Sequence, residues 1–184
     1  MSGKLKGMSI ALLLVLVAVL SGCSGGNDKN TVTIFMMDQA GSPGTIGETL
    51  GKQLKDKLGP DLKVEFIESA MYNNTKLVVE YAAGMNDIMI LNKEDVMNFG
   101  KSGANLPLDD YFSAEEFPEG VFEGGVSVEG EEELRQEKHL YAIPASKLKM
   151  FKDAGFAPDD LFVTVAVSTD SLEHSAAAIK AMME

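Results

Sequence analysis

The sequence predicts an α/β fold, a single three-layer lobe built on a mostly parallel β-sheet. Strand-like and helix-like segments alternate from Thr31 to about Phe99, which is typical of parallel sheets with right-handed crossovers. The apolar run at 88–91 offers no polar residue to either face, as expected of a central strand covered on both sides. The 184 residues correspond to one domain rather than two.

The first strand and the first helix are predicted from residue type and spacing. Residues 31–37 are β-branched or apolar and predict a strand. Leucine and isoleucine then recur at fourfold steps from Ile46 to Leu58, which predicts a helix ending at the following glycine and proline. Thr45 and Glu48 have the spacing of a capping box and are predicted to begin this helix.

Two more strand and helix pairs follow. Residues 62–67 alternate apolar and polar and predict a second strand, and the segment from about 74 to 83 predicts a helix. The inner face of that helix is predicted to carry Leu77, Val78, Tyr81 and Ala82. After a tight turn at Gly84 comes the central strand at 88–91, and residues 93–99 predict a third helix.

The pattern is weaker after Gly100, and the predicted elements are shorter. They are a short helix at 113–117, a glycine-containing loop at 118–130, a strand at 140–143, a short helix at 147–154, a strand at 161–167 and an amphipathic helix at 171–183. The glutamates at 131–133 predict a solvated face, because the alternating ligand spacing of a calcium loop is absent.

Composition excludes several classes of function. The formal charge is −12 and the pI about 4.6, so no basic stripe is available to neutralise the phosphates of a nucleic acid. His139 and His174 are the only histidines, and neither has a recognisable nucleophile motif beside it. Scattered carboxylates and two distant histidines do not predict a metal site. The sequence therefore predicts neither an enzyme nor a bound cofactor or metal.

The amino-terminal residues predict export and lipid anchoring. Lys4 and Lys6 precede an apolar run at 10–20, which has the length of a secretory signal rather than of a membrane span. Leu-Ser-Gly-Cys at 20–23 matches the bacterial lipobox, in which the cysteine thiol receives a diacylglycerol. The alternative is a small hydrophobic cysteine that follows a membrane anchor. We predict a signal peptide at 1–22, a flexible tether at 23–30 and the folded lobe at 31–184, held by lipid on Cys23 at the extracytoplasmic face of the cell membrane.

Several short sequence segments follow one another along the chain in a recognisable order. A strand and helix come first, then a second strand with Tyr72 soon after, Ala-Ala-Gly at 82–84 before Asp-Ile, Leu-Asp-Asp-Tyr at 108–111, and Leu-Tyr-Ala-Ile-Pro at 140–144. In this order they resemble the extracellular solute-binding proteins of ABC importers, particularly the large sugar-binding type. The resemblance implies a periplasmic-binding-protein-like fold, a small solute such as a sugar, and an ABC permease as partner.

The chain departs from this family between two of its predicted strands. Only residues 145–160 separate Pro144 from Leu161, where a family member would place most of a second lobe. The resemblance implies that two lobes trap the solute by hinge closure, and a pocket on one lobe leaves the solute half exposed. The sequence is therefore similar to the first lobe alone.

Candidate binding residues are the polar and aromatic side chains at the predicted carboxyl ends of the parallel strands, where open α/β sheets place their ligands. They are Asp38, Gln39, Ser69, Tyr72, Asn92 and Ser146. In the related proteins, polar and aromatic side chains of the matching loops are implied to bind solute. The alternative for Asp38 and Asn92 is that they cap turns and helices.

These observations predict a membrane-anchored solute-binding lipoprotein associated with ABC-type uptake, with carbohydrate as the solute class that the resemblance implies. The alternative is an interaction or regulatory lipoprotein that has kept one lobe of this fold without capturing solute. An exposed apolar patch in place of the second lobe would favour the alternative.

Overall fold

A computed structural model describes residues 30–184 of the protein, and the elements below lie within them. The predicted signal peptide at 1–22, Cys23 and the tether as far as residue 29 lie outside the described residues. The strands are β1 Thr31–Met37, β2 Lys63–Ser69, β3 Ile88–Asn92, β4 Val121–Val126, β5 Arg135–Leu140, β6 Ala142–Pro144 and β7 Leu161–Val165. The α-helices are α1 Ile46–Leu58, α2 Asn74–Ala83, α3 Lys93–Lys101, α4 Lys149–Asp153 and α5 Leu172–Met183. None of the helices in the described range is long and apolar enough to span a bilayer.

Five strands form one sheet in the order β2-β1-β3-β7-β6. Strand β1 pairs in parallel with both β2 and β3, whereas β7 pairs antiparallel with β3 and with β6. Four strands therefore run in one direction, and β7 runs against them. The predicted mostly parallel α/β lobe is confirmed, with β3 buried at the centre of the sheet.

Successive residues of the central strands feed two apolar layers because strand side chains alternate between faces. Ile34 and Met36 of β1 join the first layer, whereas Phe35 and Met37 join the second. Helices α1, α4 and α5 pack on the first face, and α2, α3 and the β4-β5 hairpin pack on the second. The sheet is thus the middle layer of three, as predicted.

The helix boundaries match the sequence better than the helix contacts do. Thr45 occupies the N-cap position of α1, but its side chain makes no capping hydrogen bond, so the predicted capping box is wrong. Asn73 does cap α2, since its Oδ1 accepts from the N–H of Lys76 at 2.9 Å. On α2, Val78 and Ala82 are exposed rather than inward. This helix meets the sheet along one narrow row, Leu77 and Tyr81, too narrow to cover its neighbouring positions.

The loop predicted at 118–130 is wrong, because residues 121–126 form β4 and pair with β5. Glycine misled the prediction. A Cβ on Gly124 would lie 2.5 Å from Cζ of Tyr141, and one on Gly125 would lie 2.9 Å from the carbonyl oxygen of Lys101. These glycines let other parts of the chain pack against a strand, and they do not mark a turn.

Two other predicted elements differ in detail. The short helix predicted at 113–117 is a turn, closed by a hydrogen bond from the N–H of Glu116 to the carbonyl oxygen of Ser113. The strand predicted at 140–143 is interrupted at Tyr141, where the chain passes from the hairpin to the main sheet. Residues 145–160 then form a 3₁₀ turn and α4, which buries Met150 and Phe151 in the same lobe.

Candidate functional site

One edge of the sheet collects the carboxyl ends of four strands and the amino end of the fifth. Ser69 ends β2 opposite Met37 of β1, and Asn92 ends β3 opposite Leu161. Because β7 runs against its neighbours, its first residues and the preceding Asp160 lie at this same edge. The six predicted site residues are distributed along it.

Asn92 lies at the centre of this edge and joins three strand ends. Its side-chain Oδ1 accepts a hydrogen bond from the backbone N–H of Gln39 at 2.6 Å. Its Nδ2 donates to Asp38 Oδ1 at 3.3 Å and to Asp160 Oδ2 at 3.2 Å. Although Asn92 precedes α3, its side chain makes no capping hydrogen bond to that helix. Helix capping by Asn92 is therefore wrong, whereas its Oδ1 does accept from the turn after β1.

Asp38 has the turn-forming role that the alternative assigned to it, together with its bond to Asn92. Its Oδ1 also accepts from the N–H of Ala40 at 3.0 Å, and its carbonyl oxygen accepts from the N–H of Gly41 at 3.0 Å. The side chain is buried, with 2% of its surface exposed. Asp38 thus shapes the loop after β1, and the loop presents Gln39 to solvent.

Asp95 brings together two further predicted residues, although the sequence analysis did not select it. Its Oδ1 accepts from the hydroxyl of Tyr72 at 3.1 Å, and its Oδ2 accepts from Nε2 of Gln39 at 3.2 Å. Asp95 is buried, with 7% of its surface exposed. One signal could have identified it: Asp95 is three residues after Asn92 in the first turn of α3, a spacing that places both on one side of a helix.

Asp160 is the second residue that sequence reasoning missed. It is exposed, and besides accepting from Asn92 its carbonyl oxygen accepts from the N–H of Lys93 at 2.9 Å. Periodicity identifies β7 as a strand but carries no information about its direction. Without that direction, the residue preceding β7 could not be placed at the edge that holds the carboxyl ends of the other strands.

Ser69 and Ser146 lie at the same edge but outside this network. The hydroxyl of Ser69 donates to the carbonyl oxygen of Met71 at 3.1 Å and accepts from Nζ of Lys76 at 3.3 Å. Ser146 lines a separate open pocket of about 480 Å³ at the β6 end, together with Lys147 and Phe162. The structure therefore joins four of the six predicted residues and leaves these two apart.

The edge is rich in hydrogen-bond acceptors. The donors that reach Asp38, Asp95 and Asp160 in the network are amide and hydroxyl groups, and none of these donors carries a charge. Burial, and then the negative charge of Asp95, raises the pKa of Tyr72 above its ordinary value. Among residues 30–184, no cluster of three or more metal-ligating side chains is arranged to hold a metal ion. The arrangement is equipped to bind a solute by hydrogen bonds.

Comparison with known proteins gives structural similarity only. No protein-family model matches the chain, and no curated protein matches its sequence. An extracellular solute-binding protein family 1 structure from Alicyclobacillus acidocaldarius is similar with a TM-score of 0.38 and 23% identity, covering 62% of this chain and 28% of that one. An ABC substrate-binding protein from Listeria monocytogenes, in complex with cycloalternan, has a TM-score of 0.42 and 23% identity, covering 70% of this chain and 34% of that one. Both are solute-binding proteins, the class that the sequence resembles, and this chain spans about a third of their length or less.

Proposed function

We propose that this chain is the solute-binding lobe of an extracytoplasmic lipoprotein that acts in ABC-type uptake of carbohydrate. The observation that carries the proposal is the convergence of Asp38, Gln39, Tyr72 and Asn92 at the carboxyl-end edge of the sheet. Open α/β sheets bind their ligands at this position. The solute class and the permease partner are inferred from the short sequence segments, whose order along the chain resembles that of sugar-binding proteins of ABC importers.

The chemistry of the edge suits a sugar. Sugar hydroxyls donate hydrogen bonds, and the side chains of Gln39, Asp95 and Asp160 supply acceptor oxygens. Tyr72 is half-buried, so part of its ring is available to pack on the apolar face of a sugar. The role of the lobe would be to capture solute at this edge and deliver it to a permease.

A thermal-shift screen of residues 24–184 against neutral sugars, oligosaccharides, amino acids and inorganic anions tests solute capture. A ligand selective for the folded state raises its stability by about 2.7 kcal/mol at a hundredfold excess over Kd, enough to move the melting temperature by several degrees. We expect a shift with at least one neutral sugar or oligosaccharide. Cooperative melting with no shift from any of them would contradict the proposal.

Membrane anchoring through Cys23 is a separate part of the proposal and has its own test. We expect wild-type protein in the membrane fraction, and Cys23→Ser either released or left unprocessed, because serine cannot form the thioether to diacylglycerol. Ser21→Thr is the control: it is a conservative substitution two residues before Cys23 that keeps the cysteine thiol, and it should leave membrane fractionation unchanged. Correct processing and unaltered membrane fractionation of Cys23→Ser would contradict the anchor.

The second candidate, an interaction or regulatory lipoprotein, is favoured by apolar side chains near β2 and on α2. Met71 is 79% exposed, Val79 58% and Val78 50%. Val78 and Val79 are consecutive in α2, and exposed apolar patches are typical of protein contact surfaces. This candidate predicts that Val79→Lys disrupts a protein complex while sugars produce no thermal shift. A sugar shift that survives Val79→Lys favours the uptake function instead.

A further inference from the structure

We infer that Asp95 is a positioning residue of the binding edge: it holds Tyr72 and Gln39 so that their acceptor atoms face a neutral, hydroxyl-bearing solute. The inference rests on the proposed function, since it concerns the same site. It goes beyond that function because it names the residue that determines whether the site offers a solute hydrogen-bond acceptors or donors.

The geometry places Asp95 against two loops, and its carboxylate binds one side chain from each. Gln39 follows β1 and Tyr72 follows β2, whereas Asp95 belongs to the first turn of α3. Each carboxylate oxygen takes one partner, Tyr72 at 3.1 Å and Gln39 at 3.2 Å. Asp95 is buried while Gln39 is exposed, so a fixed group holds a side chain that would otherwise sample several rotamers.

The protons of the edge can be followed individually. A tyrosine hydroxyl has one proton, and that of Tyr72 points to Asp95, which leaves only lone pairs of its oxygen for a solute. Gln39 uses one amide proton on Asp95, its side chain also hydrogen-bonds Tyr72, and its carbonyl oxygen is an acceptor. Both amide protons of Asn92 are used, on Asp38 and Asp160.

A solute at this edge must therefore supply most of the donors. Neutral hydroxyl-rich molecules do so, and their hydroxyls can satisfy carboxylate and phenol oxygens together. Within the network an anionic solute would meet the carboxylates of Asp38, Asp95 and Asp160, and the ammonium group of Lys76 lies outside it, at Ser69. The edge should accordingly prefer a neutral sugar to its phosphorylated form.

Asp95→Asn changes this arrangement with little change in volume. A carboxamide has one acceptor oxygen where the carboxylate has two, so in the present geometry either Tyr72 or Gln39 would face an NH2 group in place of its acceptor. The negative charge is lost as well. Because that charge helps to raise the pKa of Tyr72, its removal should lower the pKa.

The test is a tyrosine titration by ultraviolet absorbance on residues 24–184, a length that contains the whole described fold. The chain has four tyrosines and no tryptophan, and the difference between wild type and Tyr72→Phe isolates the Tyr72 signal. We expect Tyr72 to titrate above its ordinary value of 10.0 in the wild type and lower in Asp95→Asn. Glu94→Gln, an exposed neighbour on the same helical turn, is the control and should move it less.

Binding is then measured with two probes that differ only in the phosphate group, glucose and glucose 6-phosphate, or with the best neutral sugar of the thermal-shift screen and its own phosphate ester. We expect Asp95→Asn to weaken binding of the neutral sugar at least tenfold. The ratio of the affinity for the neutral sugar to that for the phosphorylated sugar should also become smaller. An unchanged Tyr72 titration in Asp95→Asn, or unchanged sugar binding, would overturn the role of Asp95. If the variant does not fold, a wild-type Tyr72 that titrates at or below 10.0 overturns it. If the wild type binds no sugar at all, the proposed function fails, whereas the titration still decides whether Asp95 holds Tyr72.

Discussion

Asp87 lies just before β3, at the sheet edge opposite the candidate site, and its buried carboxylate accepts three hydrogen bonds. Oδ2 accepts from the N–H of Thr33 at 2.8 Å. Oδ1 accepts from the hydroxyl of Thr169 at 2.7 Å and from the N–H of Asp170 at 3.1 Å. One side chain thus connects β1, β3 and the segment that leads into α5.

We expect Asp87→Ala to lower the free energy of unfolding by about 3 kcal/mol or more, because buried donors lose their acceptor. Urea denaturation at pH 7 measures the change. Asp110→Ala is the control, since Asp110 is exposed and its loss should alter stability by less than about 0.5 kcal/mol. Equal stability of the two variants would refute the structural role of Asp87.

Tyr81 predicts how stability depends on alkaline pH. Its ring stacks on Phe99 with centroids 3.9 Å apart, and its hydroxyl donates to buried Asn105 at 3.0 Å. Burial raises the pKa of Tyr81 well above the ordinary value of 10.0. Above about pH 10 the unfolded chain therefore releases a proton that the folded chain keeps, so this contribution to stability is complete below that pH and declines as pH rises.

We expect Tyr81→Phe to lose about 1 kcal/mol at pH 7, because Asn105 loses its donor. Its decline between pH 10 and 11 should nevertheless be shallower than that of the wild type. Urea denaturation across this pH range measures both effects. Tyr72 and Tyr141 also have raised pKa values, so a residual slope is expected. A variant that declines as steeply as the wild type would show that Tyr81 is not the group responsible.

At the scale of elements, the β4-β5 hairpin is attached to the main sheet through an unusually close backbone approach. A Cβ on Gly120, just before β4, would lie 1.7 Å from the carbonyl oxygen of Ala142 in β6. The N–H of Tyr141 donates to the carbonyl oxygen of Gly120 at 3.0 Å. The hairpin's entry therefore requires glycine for space.

We expect Gly120→Ala to destabilise the protein by about 3 kcal/mol, because the clash is with backbone that cannot rotate away. Gly44→Ala is the matched control: nothing lies within 4 Å of its added Cβ. Thermal melting of both variants measures the difference. If Gly120→Ala and Gly44→Ala have the same melting temperature, the hairpin can move away from β6, and the close backbone approach at Gly120 does not determine stability.

The elements that the sequence predicted well are those whose own residues determine them. Strand β1 and helix α2 have the predicted bounds, because β-branched runs, the cap at Asn73 and the left-handed Gly84 act locally. The hairpin could not be predicted, because its glycines make room for Tyr141 and Lys101, which are distant in sequence. The outward direction of Val78 is likewise a property of packing between elements.

At the scale of the whole molecule, the site follows from strand direction. The carboxyl-end rule placed Asp38, Gln39, Tyr72 and Asn92 at one edge, and the structure joins them in a single network. Asp160 was missed because its place depends on the reversed direction of β7. Ser146 follows β6, the last strand in the sheet order. The carboxyl-end rule correctly predicts the edge at which Ser146 lies, but it does not predict whether Ser146 contacts the network.

The described fold is one lobe, and Gln39 and Asp160 at its candidate site are exposed to solvent. Residues 145–160, between β6 and β7, pack onto the lobe with Met150 and Phe151 and meet the site at Asp160. A solute bound there would be covered on one side, which lowers the affinity expected relative to a closed pocket. The proposed function thus requires that hydrogen bonds from one lobe suffice for measurable binding.

Calorimetric titration of residues 24–184 with the neutral sugar that gives the largest thermal shift measures directly whether this lobe binds a solute. We expect saturable binding of one sugar per chain, lost in Tyr72→Ala and retained in Met71→Ala, which removes an exposed neighbour outside the network. Heat of binding that is absent from the wild type, or equal in wild type and Tyr72→Ala, would contradict solute capture at this edge.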